Sequence, residues 1–170
     1  MGLLAYASLC LFGLLLSSSF PRVEADSCAE DWVENHGNCY AYFDTNKSWV
    51  QAEIECQNYF PGAHLASVHS MSESVFIVQY ISTNQKKPSD VWIGRRASFP
   101  TGKWSWSDKS VSNYATWVSC EPNIFCAALI QSTNLAEWHF RDCRSHQAYI
   151  CKYELQPTSA NMSSSPDLQI

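Results

Sequence analysis

The sequence predicts an α+β domain, on three observations. Two segments with helical periodicity come early, a series of short strand-like segments comes late, and cysteine is plentiful throughout. There is no internal repeat, so these features describe one unit and not an array.

The order begins with a leader. Leu3–Leu16 is an uncharged apolar run, followed by Val23-Glu24-Ala25 with small residues at the −3 and −1 positions of a cleavage site. The run is too short to span a bilayer, so residues 1–25 read as a secretory signal peptide. Its amino-terminal region lacks Lys and Arg, which leaves an uncleaved anchor as the other reading. The expectation is a secreted, extracellular protein without a membrane span. Residues 26–153 then form the domain. Residues 154–170, Ser/Pro-rich and poor in large apolar side chains, read as a disordered tail.

Aromatic residues make up 14% of the chain and charged residues only 16%, so there is ample apolar area for a core. The net charge of −5, with no run of Lys or Arg, argues against nucleic acid and polybasic membrane contact.

The elements follow in sequence. Asp31–Phe43 reads as a hairpin turning at His36-Gly37-Asn38. Ser48–Tyr59 is helical, with Trp49, Ala52 and Cys56 at steps of three and four, and Pro61-Gly62 stops it. Ala63–Val68 alternates like a strand. Ser70-Met-Ser-Glu73 is a capping box opening a second helix, whose Val75, Ile77, Val78 and Ile81 face mostly inward. Val91–Gly94 and Trp104–Trp106 are short strands, and Cys126–Ile130, Glu137–Phe140 and Ala148–Tyr153 complete the set. Trp104, Trp106 and Trp138 are expected in the core.

Cys10 leaves with the leader, and seven cysteines remain. Three bridges among seven cysteines can be drawn in about a hundred ways, so counting does not give the connectivity. One thiol must stay free or pair with another chain. Zinc is disfavoured, since no C-x-x-C occurs and His36, His64, His69, His139 and His146 match no zinc spacing. An enzyme is disfavoured too: there is no G-x-S-x-G and no H-E-x-x-H.

Taken together, Cys28…Cys39, Trp49…Glu53…Cys56, Ala63-His-Leu-Ala-Ser-Val68, Trp92-Ile-Gly94 and Trp104-Ser-Trp106-Ser-Asp108 resemble the C-type lectin-like domain. Trp117, Glu121-Pro-Asn123, Cys126, Trp138…Cys143 and Tyr149-Ile-Cys151-Lys extend the resemblance over nearly the whole mature chain. Within that family the sequence is most similar to the small secreted regenerating, or lithostathine-like, branch. The resemblance implies two helices and short antiparallel sheets stapled by three disulfides: Cys28–Cys39, Cys56–Cys151 and Cys126–Cys143. Cys120 has no counterpart and is left unpaired or interchain, with a rearranged bridge Cys120–Cys143 as the rival.

Sugar-binding members of the family hold calcium with a Glu-Pro-Asn triplet, a carboxylate before the next Cys, and a Trp-Asn-Asp triplet. Calcium takes roughly six to eight oxygen ligands. Here Glu121 and Asn123 match, but Phe125 precedes Cys126, and the second triplet reads Trp138-His139-Phe140. The stretch from Glu121 to Cys126 is also short. Calcium is therefore not expected as a cofactor, and no other metal is.

Two readings of the triplet remain: a surface turn, or a metal-free glycan site. In the second, Glu121 and Asn123 bind hydroxyls while Trp117 or Phe125 covers a ring face. A protein-interaction module on the same scaffold is the alternative function. Arg95-Arg96 with Lys103 reads as a solvated loop or a contact for an acidic ligand. Asn46-Lys-Ser48 and Asn161-Met-Ser163 are glycosylation sequons.

Overall fold

The computed structural model describes residues 27–98, 101–111, 114 and 126–155. The strands are β1 (Val33–Asn35), β2 (Asn38–Lys47), β3 (His64–Leu65), β4 (Val91–Ala97), β5 (Trp104–Trp106), β6 (Cys126–Leu129), β7 (Trp138–Arg141) and β8 (Gln147–Glu154). The helices are α1 (Trp49–Tyr59) and α2 (Met71–Asn84), with one 3₁₀ turn at Gln131–Thr133.

The first hairpin turns on His36 and Gly37 alone, with φ of 50° and 74°. Positive φ at both positions is the geometry of the two-residue turn that matches strand twist. Asn38, expected in the turn, already pairs with Asn35. α1 starts at the N-cap Ser48, whose hydroxyl accepts from the Gln51 amide. It buries Trp49, Ala52, Glu53 and Cys56 on one face. Ala63–Val68 shortens to the two-residue β3, because Ala66 turns to other partners: its N–H donates to Ile150 and its carbonyl accepts from Gly94.

The strands form one sheet in the order β1-β2-β8-β4-β6-β7, with β3 on β8 and β5 on β4. The expectation of short antiparallel sheets holds for every pairing but one. β4 runs parallel to β8, with Val91 opposite Ala148 and Trp92 opposite Tyr149, and this pairing merges the pieces into a single mixed sheet.

β8 is buried from Ala148 through Tyr153 because both faces of the sheet are covered. One face joins Ile77 and Ile81 of α2 to Tyr40, Ile93, Leu129 and Ile150. The other joins Trp49, Ala52 and Cys56 of α1 to Leu65, Trp92, Ala128 and Tyr149. Of the α2 residues expected inward, Ile77 and Ile81 are buried, Val78 is half-buried, and Val75 is exposed.

Three disulfides staple this frame: Cys28–Cys39, Cys56–Cys151 and Cys126–Cys143. These are the pairs that the family resemblance implies. The Cys56–Cys151 link closes 95 residues, and chain-entropy reasoning gives such a loop about 4–5 kcal/mol of stabilisation.

Candidate functional site

Trp117, Cys120, Glu121, Asn123, Phe125 and Asn161 lie outside the described residues. The strands β4 to β7, which flank the 119–126 stretch in the chain, are described, and they carry the positions of the other half of the calcium site that sugar-binding relatives have.

β7 settles where that half points. Trp138 is fully buried and packs edge-on against Trp106 and Tyr114, each ring centroid 5.7 Å away. Two residues on, Phe140 lies on the same face and stacks on Trp104 at 4.5 Å with an interplanar angle of 20°. The position at which the family would offer an oxygen ligand therefore holds a ring packed on a ring. His139, on the opposite face, has Nε2 3.5 Å from a Glu137 carboxylate oxygen. Among the described residues, no three His, Cys, Asp or Glu side chains converge as a metal-holding group.

Beneath β5 runs a buried polar chain. Glu73 Oε1 accepts from the Tyr40 hydroxyl and from Lys152 Nζ, both at 2.6 Å, and its Oε2 accepts from the His69 amide at 2.8 Å. Lys152 also donates to the Ser67 carbonyl at 3.1 Å. The Ser67 hydroxyl donates to Asp108, whose other oxygen accepts from the amide and hydroxyl of Ser110. This chain ties the turn after β5 to α2 and β8. Burial pushes the Asp108 carboxyl up, but the Ser110 and Ser67 hydrogen bonds outweigh it and hold it below the ordinary value. His69, edge-on to Trp106, is held below its ordinary value by burial and by the Lys152 charge.

The two arginines of β4 part company. Arg95 is half-buried, with its guanidinium 5.2 Å from the Trp106 ring centre and its Nη1 on the Tyr114 carbonyl. Arg96 is exposed on the other face, 5.5 Å above the ring of Trp49. Arg141 is clamped by Asp90 through Nε and Nη2, both at 3.1 Å. Of the three expected core tryptophans, Trp106 and Trp138 are buried while Trp104 is half-buried on the edge strand. Asn46 is exposed near the end of β2, two residues before the cap of α1.

The Glu73–Lys152 pair and the Arg96–Trp49 stack were not readable from spacing. Their partners are 79 and 47 positions apart, and no local pattern links them.

The family model of the lectin C-type domain matches residues 45–153. A C-type lectin of Micrurus corallinus is 38% identical over 157 residues, covering 89% of this chain and 98% of its own. The C-type lectin BfL-2 of Bungarus fasciatus is 36% identical over the same length. Among solved structures, human lithostathine superposes with a TM-score of 0.70 at 27% identity, covering 75% of this chain and 99% of its own. A calcium-independent type II antifreeze protein superposes with a TM-score of 0.65 at 29% identity. No helix among the described residues is long and apolar enough to cross a membrane. By the matched domain and the extent of these likenesses, the chain belongs to the C-type lectin domain family.

Proposed function

We propose that this chain is a secreted binding protein that recognises a glycan or glycoconjugate without calcium. Residues 1–25 serve as its signal peptide, 26–153 as the binding domain and 154–170 as a tail. The observation that carries the reading is Phe140. It is stacked on Trp104 where calcium-dependent relatives need an oxygen ligand, so β7 has no side-chain carboxylate or amide oxygen to offer an ion. Glu121 and Asn123 then act as direct hydrogen-bonding groups for sugar hydroxyls, with Trp117 and Phe125 as the adjoining aromatic surface. The role is binding and not catalysis.

A glycan array run with calcium and again with EDTA tests this. The expected result is the same glycans bound in both. Binding lost in EDTA rejects the metal-free reading. No binding in either condition favours the second reading, a protein-interaction module on the same scaffold.

Cys120 supplies a dimer in this proposal. A thiol left over from the three intrachain bridges pairs in an oxidising compartment, and two linked copies give a weak metal-free site the bivalency it needs. On a non-reducing gel the wild type runs as a dimer and Cys120→Ser as a monomer; monomer in both lanes rejects the link. The same gel after enzymatic deglycosylation reads occupancy of Asn46 and Asn161.

A further inference from the structure

The chain carries a net charge of −5, yet residues 91–106 contain Arg95, Arg96 and Lys103 with no Asp or Glu. Residues 126–133 carry no charge of either sign. The β4–β5 hairpin is thus a local reversal of charge.

Its geometry separates the cations. Arg95 is half-buried over Trp106 and is not a surface group. Arg96 faces Ser105 across the hairpin, and the Ser98 amide donates to the Lys103 carbonyl at 2.9 Å. Arg96, Ser98, Lys103 and Ser105 are all exposed and share one face, with Arg96 and Lys103 as diagonal neighbours about 7–8 Å apart. The Trp49 amide donates to the Cys143 carbonyl at 2.9 Å, which sets the backbone leading into Arg144 against the first residue of α1, whose ring Arg96 covers. The Arg144 side chain is 90% exposed. Among the described residues its one ion-pair partner is Asp142, and Arg96 has no carboxylate within ion-pair distance.

We propose that this face, with Arg96 and Lys103 at its centre and Arg144 beside them, docks a sulfated polysaccharide chain. Guanidinium forks fit sulfate oxygens in pairs, and the Trp49 ring beneath the Arg96 guanidinium orients it so that little freedom is lost on binding. A single exposed ion pair is worth at most about 1 kcal/mol, so one isolated anion binds poorly. A polymer with an anion on each repeat engages all three cations together. Nucleic acid fits less well: Trp49 is 4% exposed beneath Arg96, which leaves no ring face for a base. An anionic membrane fits less well too, since it calls for a cluster of roughly four to eight cations. The proposal uses neither Glu121 nor Asn123, so it stands or falls independently of the metal-free glycan reading.

The test is retention of the mature protein on immobilised heparin under a NaCl gradient. Wild type is expected to bind at low salt and elute as screening rises. Arg96→Ala/Lys103→Ala should weaken binding at least about tenfold, which is about 1.4 kcal/mol. Lys86→Ala/Lys87→Ala removes the same charge from two other exposed lysines and should elute with wild type. Glu121→Ala/Asn123→Ala should also be retained. An unretained wild type overturns the proposal. So do equal losses in the two cation variants, which would report overall charge alone, and so does preferential capture by phosphatidylserine vesicles. An unchanged unfolding midpoint in Arg96→Ala/Lys103→Ala shows that the loss is not one of folding.

Discussion

A β-carbon built on Gly94 would lie 2.3 Å from the carbonyl oxygen of Leu65 and 2.9 Å from the Ser107 hydroxyl. The nearer atom is backbone and cannot swing aside. Gly94 is also held on both sides, donating its amide to Ala66 and accepting from Ser107. Gly94→Ala should therefore overpack this crossing and cost about 1–3 kcal/mol. The measurement is the urea midpoint, expected to fall with an unchanged slope; an unshifted midpoint would show that the backbone yields at no cost. The sequence presents Trp92-Ile93-Gly94 as a buried strand ending in glycine, and that much is legible. Why glycine is required is not, because the obstructing carbonyl belongs to a residue 29 positions earlier. Glu53 follows the same rule. Its place on α1 is plain from spacing, but its carboxylate binds the Leu65 amide at 2.9 Å and His64 Nδ1 at 2.6 Å only because Pro61-Gly62 folds the chain back. Phe140 is the reverse case: its identity alone removes a calcium ligand, and the structure adds where the ring goes.

At the scale of the element, α2 shows a local motif diverted by the fold. Ser70 caps the helix as its sequence predicts, accepting from the Glu73 amide at 3.1 Å. The returning half of the capping box is absent. Glu73 turns away from the Ser70 amide to meet Tyr40 of β2, Lys152 of β8 and the His69 amide. A buried cation without a counter-charge costs far more than an unsatisfied helix amide at the surface, and that difference decides the rotamer. The side chains of Lys152 and Glu73 are only 9% and 11% exposed. Lys152→Met should thus destabilise by about 3–5 kcal/mol, by stranding the Glu73 carboxylate. Glu73→Gln/Lys152→Met should recover most of that loss, since glutamine is neutral and its oxygen can still accept. Urea unfolding of both single variants and the double closes the cycle. Additive losses would mean that the pair is not coupled and that each residue acts through packing alone.

Over the whole molecule, the outline of the fold is legible because each helix and strand has its own periodicity. The single sheet is less so. β4 and β8 are joined by a parallel pairing that no turn or spacing announces, 57 positions apart at Val91 and Ala148. That merger buries tyrosines on both sides of the sheet, with a consequence in alkali. Burial raises Tyr40, further raised by the Glu73 carboxylate, and burial likewise raises Tyr80 and Tyr149. Tyr42 is pushed up to about 12 by burial and by Asp44. A tyrosine whose folded value lies above its unfolded value favours the native state while it is neutral. That contribution is complete below about pH 10 and is lost as pH rises through the folded values. The urea midpoint should therefore hold between about pH 8 and 9.5 and fall steeply by about pH 11.5. Tyrosinate absorbance should show a late phase that coincides with loss of near-ultraviolet circular dichroism. Tyr42→Phe removes one of the four groups and should move that late transition to higher pH. A midpoint unchanged across the alkaline range would mean that these hydroxyls ionise as readily in the folded sheet as in the open chain.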